Sequence, residues 1–107
     1  MWVIHNKLLP FSRHSAINLF GILFVKRGVK VTPTLINHER IHTAQMLELL
    51  VVFFYLWYLV EWLVRYIQIG NGMRAYYRIS FEREAYVNDQ NLNYLQSRKL
   101  FSFRKWL

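Results

Sequence analysis

A chain of 107 residues holds one domain, taken here as 1–107, with no room for a second. Hydrophobic residues make up 54% of it and aromatic residues 18%, more apolar surface than a small monomer can hide, so a membrane or a partner subunit is expected. The lack of cysteine excludes disulfides, thiolate metal sites and a cysteine nucleophile, and the net charge of +8, from scattered basic residues, favours anionic lipid over nucleic acid.

Residues 1–14 mix apolar and basic groups around Pro10 and read as an extended or irregular lead-in. His5, Asn6 and Lys7 interrupt what would be the apolar part of a signal peptide, so the chain is expected at the cytoplasmic membrane, with the cytoplasm as the alternative. Ser15 to Val25 is rich in β-branched and aromatic residues, and residues 29–33 resume that pattern after Lys26-Arg27-Gly28. This predicts a β-hairpin within 1–33, with a short buried helix over 15–25 as the alternative.

One long helix is expected over 34–69, capped by Thr34 or Asn37 and ended by Gly70-Asn71-Gly72. Its middle, Leu49 to Val60, has no charge, and Glu61 and Arg65 stand at i and i+4, placed to neutralise each other. Tyr55, Trp57, Tyr58, Trp62 and Tyr66 resemble a lipid-boundary belt, so embedding or interfacial anchoring is expected, against burial in a homo-oligomer core. A further helix spans 73–98, with Ser80 as an N-cap or kink and Glu82 and Glu84 just after it. The tail 99–107 is basic and aromatic and suits a membrane surface.

The chemistry concentrates at His38-Glu39-Arg40-Ile41-His42. Residues four apart share a helix face, so His38 and His42 can present two imidazoles to one ion. Glu39 falls beside that ion, where a carboxylate can take a proton from an activated water and return it to a leaving amine. A catalytic zinc needs a third protein ligand, and Glu82 and Glu84 are the acidic candidates. Gln45 shares the same face, as a contact to ligand or substrate or as a plain polar residue at the rim. His5, His14, Tyr76, Tyr77 and Tyr86 are candidate oxyanion donors; Arg74, Arg78 and Arg83 are candidates to bind a substrate carboxylate or to pair with Glu82 and Glu84.

An HExxH helix followed by Glu82-Arg83-Glu84-Ala85 resembles the gluzincin class of metallopeptidases, especially the membrane-associated Ste24/HtpX-like and BlaR1-like groups. The resemblance implies an α+β, mostly helical, minimal zincin-like fold, with Zn2+ held by His38, His42 and Glu82 and Ala85 as the small residue between two helices. It also implies a peptide or protein substrate, paired in extended form with an edge strand formed by residues 17–25. Tyr86 stands where those families carry an aspartate that orients a zinc-bound histidine; Tyr86 or Asp89 is the expected substitute. The expected activity is zinc-dependent peptide hydrolysis with Glu39 as general base, the alternative being a non-cleaving membrane-bound scaffold or regulatory protein.

Overall fold

The computed structural model describes residues 1–7 and 15–107. It is α+β: a three-stranded sheet is followed by helices to the C-terminus. The strands are β1 (Trp2–Asn6), β2 (Ala16–Leu19) and β3 (Ile22–Lys26), in the order β1-β3-β2. β1 runs parallel to β3, with Trp2 opposite Ile22, and β2 runs antiparallel to it, with Leu19 opposite Ile22.

The hairpin exists, but its turn is Phe20-Gly21 and not Lys26-Arg27-Gly28, and 29–33 adds no strand. Both turn residues have positive φ, 54° and 88°, as a two-residue hairpin turn requires. A phenylalanine is costly there; its ring meets Tyr55 edge-on at 5.3 Å, and its N–H donates to the Tyr55 hydroxyl at 3.0 Å. Trp2–Asn6 is a strand where a lead-in is expected, while residues 8–14, including Pro10 and His14, lie outside the described residues.

The expected single helix over 34–69 is two helices, α1 (Pro33–Glu48) and α2 (Val52–Ile69), bent by 111°. Thr32 caps α1, its hydroxyl accepting from Leu35 N–H at 3.1 Å, with Pro33 opening the first turn; Thr34 and Asn37 are not the cap. At the corner Leu50 and Val51 have φ of 55° and 61°. Val51, with ψ −60°, forms a γ-turn closed by Val52 N–H on the Leu50 carbonyl at 2.6 Å. Gly70, in the left-handed region, ends α2 as expected.

The expected helix over 73–98 is likewise divided, into α3 (Gly72–Arg78), α4 (Ser80–Asn88) and the short α5 (Tyr94–Ser97). Ile79, with ψ 135°, breaks it, and Ser80 follows as the kink. Glu61 accepts from both the Ser80 amide and the Ser80 hydroxyl, capping α4 from α2, and so does not pair with Arg65. The tail folds back as a 3₁₀ turn, Ser102–Trp106. It buries Phe103 against Phe81 and Trp57, at ring distances of 4.7 and 5.2 Å, in a core shared with Met46, Phe54 and Ile79.

Candidate metal centre

The inner face of α1 carries His38 and His42 one turn apart, both buried. Ala85, fully buried, leaves room for α4 to lie close to α1, and the first turn of α4 brings Glu82 to the two imidazoles. Asn37 fixes the far end of α4, its amide donating to the carbonyls of Asp89 at 2.8 Å and Asn91 at 2.9 Å. From β2, the Asn18 amide reaches the Glu39 carbonyl at 2.9 Å and the Thr43 hydroxyl at 3.0 Å, fastening the sheet to the helix. The bend after α1 brings α2 back over the site, where the Tyr58 hydroxyl donates to Glu82 Oε2 at 2.7 Å.

The hydrogen bonds assign the ring protons. Gln45 Nε2 faces two groups that can only accept, the Phe81 carbonyl at 3.1 Å and Glu84 Oε1 at 2.9 Å. Its Oε1 therefore faces His42 Nδ1, 2.8 Å away, and that nitrogen carries hydrogen. Asp89 Oδ2, 3.0 Å from His38 Nδ1, sets the other ring in the same way. The two Nε2 atoms then point at each other across 3.2 Å, and at Glu82 Oε1 at 3.0 Å from His42 and 3.3 Å from His38.

Three lone-pair donors converging in a buried place repel one another unless a cation lies among them. A proton on His42 Nε2 relieves part of this. Accordingly, although burial works to lower it, the Glu82 carboxylate raises the His42 pKa to about 9. Burial works to raise Glu82, but His42 and His38 hold it far below the usual carboxylate range. A divalent ion satisfies all three donors at once. Ligands about 2.0–2.1 Å from a tetrahedral zinc lie about 3.3–3.4 Å apart, close to the spacing of this buried triad.

Glu84, the rival third ligand, points elsewhere. It is fully buried and held by Arg98 Nε at 2.6 Å, Tyr94 at 2.6 Å and Gln45. Arg98 also binds Glu48 at 2.9 Å, so an ionic cluster stands behind Gln45. Gln45 is thus neither a rim residue nor a substrate contact but the group that orients His42. Asp89, not Tyr86, takes the place of the orienting acid; Tyr86 packs its ring against His38 at 4.4 Å and shares a hydrogen bond with Tyr76 at 2.9 Å.

A cavity of about 310 Å³ opens beside the triad, bordered by β2, Glu39, Met46, Phe54, Tyr55 and Tyr76. Glu39 and Tyr76 also border a second hollow on the His38 side. Burial raises the Glu39 carboxyl above its ordinary value, against the lowering influence of His42 and His38. Burial, and then the charge of Glu82, push the Tyr76 phenol well above its usual value, so it keeps its proton. Of the other candidates, His5 is exposed on β1, across the sheet from β2, and Tyr77, Arg74 and Arg78 are exposed on α3. Arg83 donates to the Trp106 carbonyl at 2.8 Å, and His14 lies outside the described residues.

Tyr58, Asn18, Asn37 and Arg98 belong to the site's framework and carry no local motif; only the tertiary fold brings them there. Comparison with models of known protein families, with curated proteins and with solved structures returns no match to this chain.

Proposed function

We propose that this protein is a zinc metallopeptidase of minimal, zincin-like build, in which His38, His42 and Glu82 hold the ion and Glu39 is the general base. The observation that carries the reading is the convergence of three donor atoms, with both ring protons turned away, beside a buried carboxylate at an open cavity. Zinc held there would supply a Lewis acid that acidifies water at neutral pH and polarises a carbonyl.

The chain's own residues supply the rest. Glu39 accepts the proton of the attacking water, its raised pKa making it the stronger base, and then returns that proton to the more basic departing amine. The Tyr76 hydroxyl, held protonated, donates to the carbonyl oxygen as negative charge develops on it. β2, the edge strand beside the cavity, offers backbone groups to an extended peptide. Met46, Phe54 and Tyr55 give the cavity an apolar wall, suited to an apolar substrate side chain.

The test compares wild type with Glu39→Gln, both loaded with zinc, on unfolded peptides. The reading predicts equal zinc content and a loss of hydrolysis of about 10²–10⁴-fold in the variant. Cleavage that survives Glu39→Gln would refute it, and zinc-loaded wild type that cleaves nothing would leave a non-cleaving scaffold.

A further inference from the structure

From Val52 to Ile67, every exposed residue of α2 is apolar or aromatic, among them Phe53, Leu56, Val60, Leu63 and Ile67. The helix's two charged residues, Glu61 and Arg65, lie on its inner, half-buried side with Tyr55 and Tyr58. This is the reverse of a helix that faces water. The outward arc covers about half the circumference at about 3.6 residues per turn, wider than the two-in-seven seam of a helix pair. Two copies packed through a narrow seam would leave much of this surface wet.

The rim of the patch is basic. Leu107 lines one groove with Phe53, Leu56 and Trp57, so the C-terminal segment, with exposed Lys99, Arg104 and Lys105, adjoins the apolar face. Glu61 and Arg65 line the same groove from its inner side, with Arg65 donating to Gln68 at 3.2 Å, so the net basic charge of the rim comes from the C-terminal segment. A second copy would set this basic rim against its own like, whereas phosphate headgroups complement it. No single helix among the described residues is long and apolar enough to cross a membrane.

We infer that the outward face of α2 and the basic C-terminal segment form a docking surface for an anionic lipid bilayer, with α2 lying in the plane of the interface. About 27 Å of helix, at 1.5 Å per residue, then rests in the headgroup–acyl boundary while its inner face stays packed on the protein. Tyr58 links that inner face to Glu82, so the candidate metal centre sits roughly one helix diameter, about 10 Å, from the lipid. A substrate for such a site would be a peptide segment at the membrane surface. The docking surface itself does not depend on the peptidase reading.

Flotation with phosphatidylcholine vesicles, with and without phosphatidylglycerol, tests it in the full chain, with circular dichroism as a check on folding. Wild type should float with the anionic vesicles and release in high salt. Leu56→Gln/Val60→Gln/Leu63→Gln, all exposed positions, should stay unbound with an unchanged circular dichroism spectrum. Arg104→Gln/Lys105→Gln should bind the anionic vesicles about 30-fold more weakly. Equal binding to neutral vesicles, or no binding by wild type, would overturn the inference. So would a salt-stable dimer that the triple glutamine variant dissociates, since a second copy would then cover the face.

Discussion

Replacing Gln45 by leucine keeps the side chain's approximate volume and removes its three hydrogen bonds, to His42 Nδ1, the Phe81 carbonyl and Glu84. Glu84 retains Arg98 and Tyr94, and the Phe81 carbonyl, inside α4, still faces the Ala85 N–H four residues on, so the group left buried and unpaired is the His42 Nδ1–H. That loss costs about 1–3 kcal/mol. It is a noticeable share of the roughly 5–15 kcal/mol that holds a small domain folded, so the variant should fold but melt earlier than wild type. With its tautomer and ring angle no longer fixed, His42 should weaken zinc binding by about 10–100-fold. Competition against a chromophoric chelator reads the affinity, and thermal melting followed by circular dichroism reads the stability. A folded Gln45→Leu protein with wild-type zinc affinity would refute the orienting role.

Glu82→Gln should abolish stoichiometric zinc binding, whereas Glu84→Gln should keep zinc and lose about 3 kcal/mol of stability through its broken contact with Arg98; elemental analysis and melting separate the two. In the metal-free protein the folded His42 pKa of about 9 lies above the ordinary histidine value of 6.5. Its stabilisation is therefore complete below the lower value and is lost as pH rises through about 9, which melting temperatures measured across that window should show. For the same reason zinc binding must displace the His42 proton, so affinity should rise about tenfold per pH unit until about pH 9 and then level off. Val51→Gly should stabilise the fold by about 1 kcal/mol, because glycine adopts the corner's positive φ without strain, as denaturant titration can check.

The two imidazoles were legible in the sequence because a helix enforces its own spacing, so His38 and His42 had to share a face; the residues alone left Glu82 and Glu84 open as the third donor, and the gluzincin resemblance favoured Glu82. Asp89 was within reach of the same reasoning, as an acid on the face where the orienting residue was expected. The α1–α2 corner was not. Leu49, Leu50 and Val51 are apolar, with no glycine or proline, and their non-helical backbone is imposed by packing that folds α2 back until Tyr58 meets Glu82. The Phe20-Gly21 turn escaped for a similar reason, since what holds Phe20 in a glycine-like conformation is Tyr55, 35 residues away. Pairing of β1 with β3 is parallel and non-local, and local composition carries no trace of it. Glu61 and Arg65 looked like a helical ion pair, but Ser80 offered Glu61 two donors at a helix start.

The most direct test of the account is the metal content of the purified protein. Elemental analysis of wild type, reconstituted with zinc and freed of excess by gel filtration, should give one zinc per chain, and His42→Ala and Glu82→Ala should each give none while remaining folded. Wild type that takes up no zinc, or either variant holding it as tightly as wild type, would contradict the assignment of His38, His42 and Glu82 as a metal centre.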